Sequence, residues 1–147
     1  MAVIQTFEKI LNVREREKKE AQKAYKQSVD SFEEIATKLY ELLRKKEEAE
    51  SNYQTQLEKA VSIDALSSHS TYMEKLQKAI HEVQYSVNQA RENMEVFQGK
   101  LTDAHIEVKK FEKMIESKKQ KLSDQLKLQE NSFMDEISLQ QYSVRNR

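Results

Sequence analysis

The stretch LQKAIHEVQYSVNQA, residues 76–90, sets Leu76, Ile80, Val83, Val87 and Ala90 at steps of four, three, four and three. On a helix of about 3.6 residues per turn, such steps fall into one narrow apolar stripe. Reading outward, positions 73, 76, 80, 83, 87, 90, 94, 97, 101, 104, 108, 111 and 115 keep the same alternation. They read Met, Leu, Ile, Val, Val, Ala, Met, Phe, Leu, Ala, Val, Phe and Ile. Unbroken apolar filling of that register, in a chain only 37% hydrophobic, is the a/d pattern of a coiled coil. A stripe this narrow needs a second helix to cover it.

The rest of the 147-residue chain supplies one. Phe7, Leu11, Ala21, Tyr25, Phe32, Ile35, Leu39, Leu42, Ala49 and Tyr53 hold a similar register, interrupted by Arg14, Lys18, Ser28 and Lys46. Between the two segments lies VSIDALSSHSTYMEK, residues 61–75. Its Ser, Asp and Thr side chains compete for backbone hydrogen bonds, breaking one helix and capping the next. Thr71 and Glu74 have capping-box spacing, and Ser62 and Asp64 suit a short extra turn. The expectation is an all-α fold, a long antiparallel two-helix coiled-coil hairpin forming a single domain over 1–147. Helix one covers about 5–60, the turn about 61–70, helix two about 71–137 and a frayed tail about 138–147. Facing residues would then have numbers totalling roughly 130, with Phe32 near Phe97, Tyr25 near Ala104 and Phe7 near Leu122. Helix one would span roughly 84 Å, and helix two would overhang it beyond about Leu128. A parallel self-dimer of extended chains is the competing way to cover the stripe.

Composition narrows the function. Twenty-five Lys and Arg balance 25 Asp and Glu, so net charge gives no pull toward nucleic acid or an acidic membrane. The run Lys109–Lys127 leans positive but reads as a solvated helix face. With no Cys and no Pro and a single Gly, the chain has neither a disulfide framework nor a glycine-rich phosphate loop. Gly99 stands within helix two, either for a close helix approach or as a tolerated blemish. No apolar run is long enough to span a bilayer, and MAVIQTFEKIL is too short and too charged for a secretory signal. His69, His81 and His105 have no partner at metal-ligand spacing; His69 reads as a loop residue and the others as solvent-facing. Tyr40, Tyr72 and Tyr85 lie off the register and read as flanks of the seam. A two-helix object encloses no catalytic pocket, so no enzyme, cofactor or metal is expected, and function must lie on surfaces.

Several stretches together resemble one family. FEKIL (Phe7–Leu11), YMEKLQKAI (Tyr72–Ile80), VKKFEKM (Val108–Met114) and MDEI (Met134–Ile137), with the chain length and the placement of the turn, look like the FliJ family of the flagellar type III export apparatus. The resemblance covers the whole chain. It implies an antiparallel two-helix coiled coil similar to the γ stalk of rotary ATPases. The implied role is a non-enzymatic cytoplasmic component, peripheral at the membrane face, serving flagellum biogenesis, motility and chemotaxis. Its implied partners are the hexameric export ATPase FliI, the cytoplasmic region of the export gate protein FlhA, and export chaperones, with neither nucleic acid nor direct membrane insertion. Carried over residue by residue, the gate-binding set at the turn end is Leu42, Tyr72, Leu76 and Ala79. Lys38, Lys45, Ala49 and Val83 depart from relatives there. The ATPase-binding set at the terminal end is Phe7, Leu11, Ala21, Asp135 and Glu136. A holdase-type chaperone, using apolar residues such as Phe133 and Met134 at a free helix end, and a passive scaffold are the alternatives.

Overall fold

A computed structural model describes residues 2–59 and 62–145. They form two helices, α1 (Ala2–Glu58) and α2 (Ile63–Arg145), packed as an antiparallel helical hairpin. Neither interior contains a Pro, and the single Gly costs only about 1 kcal/mol against Ala. Continuous helices of this length are therefore what the composition dictates. The residues group into two compact units. One unit is Glu20–Thr102; the other joins Met1–Lys19 to Asp103–Arg147.

The reversal is tighter and earlier than the sequence indicated. Residues 63–70, expected as turn, are the first two turns of α2. Ser62 is the N-cap: its Oγ accepts the Ala65 N–H at 3.2 Å, and its carbonyl accepts the Leu66 N–H at 3.1 Å. Asp64 adds negative charge to the first turn, where the helix dipole favours it. Thr71, expected to cap, instead donates its hydroxyl to the Ser67 carbonyl at 3.0 Å from inside the helix. The serines and threonine of this stretch thus lie within a helix, Thr71 by bonding back to the backbone, and Ser62 does the capping. At the other side of the reversal, the Lys59 N–H reaches the Gln56 carbonyl at 3.0 Å, a tightened final turn. Residues 60 and 61, placed by the sequence at the end of helix one and the start of the turn, lie outside the described residues. At the far end, α2 continues helically through Arg145 where a frayed tail from 138 was expected.

An earlier reversal changes which residues meet. In unit Glu20–Thr102, Arg91 lies over the Phe32 ring at 6.0 Å and His69 stacks on Tyr53, pairs whose numbers total 123 and 122. In the other unit Phe7 meets Phe111 at 6.3 Å and Arg14 approaches Glu107 at 4.0 Å, totals of 118 and 121. The expected partners Phe97 for Phe32 and Leu122 for Phe7 are therefore displaced, by about two and about three helical turns respectively. Tyr25 and Ala104 belong to different units.

Burial is one-sided. Leu76, Ile80, Val87 and Ala90 are buried in one unit and Val108 and Ile115 in the other, all on α2; Ile80 and Val108 are each only 2% exposed. No described α1 residue is fully buried. A helix with one neighbour covers only a seam, so α1, whose stripe is broken by polar residues, stays half-exposed. Burying a side chain such as Ile80 contributes about 1.5–3 kcal/mol. Gly99 serves no close approach, because a Cβ there would meet nothing within 4 Å.

Two outcomes follow. Gly99→Ala should raise unfolding stability by about 1 kcal/mol, read by urea denaturation; a loss would mean the glycine does pack closely. Cysteines introduced at 31 and 90 should cross-link within one chain through a short bismaleimide, whereas the pair 32 and 97 should not.

Candidate functional site

No enclosed pocket organises this molecule, and among the described residues no group of His, Asp or Glu is placed to hold a metal. The candidate sites are the two helix-bearing ends named from the sequence.

At the turn end, all four expected residues lie in unit Glu20–Thr102. Leu76 is buried, 6% exposed, while Leu42 and Ala79 are half-buried and Tyr72 is 46% exposed. With facing numbers near 122, Leu42 stands level with the span from Leu76 to Ile80. Leu42, Leu76 and Ala79 are thus brought to one layer, with Tyr72 about one turn closer to the reversal. Leu76 is occupied by the seam; Tyr72 offers a ring to solvent. His69 is not a loop residue: it sits within α2, half-buried, its ring 4.2 Å from Tyr53 and nearly parallel to it at 7°. That stack joins the two helices close to the reversal. Tyr40 and Tyr85, expected to thicken the seam, stand out at 66% and 65% exposure. Tyr85 is tied only to its own helix, its hydroxyl accepting from Gln89 Nε2 at 3.0 Å.

Midway in the same unit the seam turns polar. Gln27, Ser28 and Ser31 of α1 face Ser86, Gln89 and Asn93 of α2 around an open groove of about 420 Å³. Ser28, which breaks the sequence register, satisfies its hydroxyl by donating to the Tyr25 carbonyl at 2.6 Å.

The terminal-end set is not brought together. Phe7 and Leu11 are half-buried against α2 in the unit containing the chain ends, where Phe7 and Phe111 tilt at 49°. Ala21 is half-buried in the other unit. Asp135 and Glu136 are exposed on α2, about 36 Å along the helix from Phe111, which Phe7 meets. Arg14 occupies a seam position with its guanidinium partly exposed and its Nε buried. Its guanidinium sits 5.9 Å over Phe111, and Nη1 donates to both Glu17 carboxylate oxygens at 3.1 and 3.0 Å. Its Nε is 4.0 Å from Glu107 Oε2, too far for a hydrogen bond, and has no other partner. The Glu107 approach therefore adds only a weak Coulomb attraction. Lys119 Nζ reaches Glu8 at 3.6 Å across the helices.

With facing numbers of 118 to 127 in this unit, the start of α1 at Ala2 falls level with residues 116 to 125 of α2. The overhang therefore begins before the position expected. Along it Leu126, Phe133, Met134, Leu139 and Val144 are each at least half exposed. Their apolar character was legible; how early they lose their cover was not, because that depends on the reversal.

Comparison with known proteins gives a consistent picture. A family model described as Flagellar FliJ protein matches residues 4–147. A protein named Flagellar FliJ protein from Bacillus subtilis (strain 168) is 36% identical over 138 residues, which is 94% of each chain. No solved structure matches.

Leu76 and Tyr72 should separate cleanly by stability. Leu76→Ala should cost about 2–4 kcal/mol of unfolding free energy, whereas Tyr72→Ala should change it by no more than about 0.5 kcal/mol, both measured by urea unfolding followed by circular dichroism.

Proposed function

This chain belongs to the flagellar FliJ family, and from that premise we propose that it is a non-enzymatic component of the flagellar type III protein export apparatus. Its proposed role is to link the hexameric export ATPase to the export gate. The observation that carries this reading is the family match across residues 4–147. No helix among the described residues is long and apolar enough to cross a membrane, so in this reading the chain is held at the cytoplasmic face by its partners.

The two ends divide the work. The uncovered part of α2, with Phe133 and Met134 exposed beside Asp135 and Glu136, is assigned to the ATPase ring in the manner of a central stalk. Large rings and methionines exposed on one helix are typical anchors for a partner surface. Tyr72 and Ala79 at the turn end are assigned to the cytoplasmic region of the gate protein FlhA, with Leu42 and Leu76 supporting them from the seam. Handling of export chaperones and assistance to ring assembly belong to the same reading. The exposed apolar overhang also suits a holdase; suppression of client aggregation without any ATPase interaction would favour that alternative.

The purified chain should stimulate ATP hydrolysis by the export ATPase FliI and should bind the isolated cytoplasmic segment of the gate. Phe133→Asn should reduce the stimulation at least about fivefold while leaving gate binding intact. Tyr72→Ala should weaken gate binding about tenfold, the scale of an interface anchor, and leave the stimulation intact. Wild-type protein without effect on either partner would overturn the proposal.

A further inference from the structure

The apolar stripe repeats every seven residues, so the seam of unit Glu20–Thr102 can fit itself in more than one way. Its observed contacts, Tyr53–His69 and Phe32–Arg91, have numbers totalling 122 and 123. Raising the total by one heptad, to about 129, again sets every stripe position of α1 from Ser28 to Tyr53 level with a stripe position of α2. Phe32 exchanges Ala90 for Phe97, Leu39 exchanges Val83 for Ala90, and Leu42 exchanges Ile80 for Val87. Ser28 and Lys46 lie opposite apolar residues in both registers. Charge does not choose between them either. Coiled coils place the charges that fix register beside the stripe. Between Met73 and Phe97 those flanking positions of α2 are Gln77, Ala79, Gln84, Ser86 and Asn93, with Arg91 the one charge. Among the described residues of this unit no ion pair crosses between the helices.

What holds the observed register lies mainly at the reversal. Ser62 caps α2 at Ile63, and His69 stacks on Tyr53 at 4.2 Å. Further along, Arg91 over Phe32 at 6.0 Å stands at the limit of a cation–π contact. The sequence holds a second cap for the other register. Thr71, with Glu74 three residues on, has capping-box spacing, yet it lies idle inside α2, bonded to the Ser67 carbonyl. The present helix ends, Glu58 and Ile63, total 121. A helix restarting at Thr71 totals 129 with Glu58, so the idle cap and the second seam register agree.

We propose that the seam of this unit is a two-register slide. When the first two turns of α2, residues 63–70, unwind, Thr71 takes over as N-cap and α2 moves about seven residues, roughly 10 Å, toward the reversal. These turns are the part of α2 readiest to unwind. Ile63 is 83% exposed, Asp64, Ser67, Ser68 and Ser70 are exposed, and serines favour helix ends over helix interiors. Unwinding at the reversal is thereby converted into a lengthwise displacement, and a partner that takes residues 63–70 as extended chain selects the second register. The slide rests on the seam alone, and either it or the export reading can fail without the other.

Cross-linking in the full chain tests it, because the chain lacks Cys and paired cysteines can be introduced without background. In the otherwise intact chain the pair at 31 and 90 reports the observed register and the pair at 32 and 97 stays silent. S62A/H69A removes the cap and the stack. In that background the 32 and 97 link through a short bismaleimide should rise at least about tenfold, the scale of one cap and one aromatic pair, and the 31 and 90 link should fall. A pair at 32 and 83, one heptad the other way, should stay silent, which separates a slide from general loosening. Adding T71A and E74A should abolish the gain at 32 and 97, because the second cap is then gone. Should S62A/H69A lose its helix content by circular dichroism, H69A alone is read by the same three pairs, with at least about a threefold gain at 32 and 97. No gain at 32 and 97, an equal gain at 32 and 83, or a gain that T71A/E74A leaves in place would overturn the proposal.

Discussion

Where the chain reverses governs everything else, because two helices share a single seam. A layered domain can absorb a slip of one element by repacking against others. Here each buried side chain has one facing helix, and a change in the reversal slides the whole seam at once. The Ser62 cap, with its bonds to Ala65 and Leu66, is therefore the constraint on which the Phe32–Arg91 and Tyr53–His69 pairs of the same unit depend. It is a local interaction of about 1 kcal/mol, yet it decides long-range pairing because helix register is rigid. The Tyr53–His69 stack reinforces it, closing the seam a little over two turns from the reversal.

Much of the fold was legible in the residues themselves. The unbroken stripe from Met73 to Ile115, the broken one in the first segment and the polar stretch between them are enough to give two antiparallel helices. What the sequence left open was which of several Ser and Thr residues would cap. Ser62, Ser67, Ser68, Ser70 and Thr71 have similar propensities, and all but Ser62 are absorbed into α2. That ambiguity moved the facing pairs by about two to three turns and drew back the start of the overhang. Exposure of the off-register tyrosines was likewise not readable, since a flanking ring can fold onto the seam or away from it. The gate set at the turn end came to one layer because Leu42, Leu76 and Ala79 lie at seam or near-seam positions. The terminal set did not, because Asp135 and Glu136 lie where α1 no longer runs.

Polar residues within the stripe divide into two kinds. Arg14 places its long apolar stem along the seam and keeps its charge paired with Glu17 at the rim, a disposition open to long cationic side chains. Ser28 and its neighbours have no such reach and leave space instead. Both features belong to a helical hairpin of the flagellar FliJ family.

The groove lined by Gln27, Ser28, Ser31, Gln89 and Asn93 has a consequence for how the molecule breathes. Its amides and hydroxyls can trade partners with water at little cost, while Ile35, Ala90 and Phe97 supply the apolar part of its lining. Amide exchange with solvent therefore begins within unit Glu20–Thr102 as an internal bubble, flanked on the α2 side by the protected backbone around Ile80.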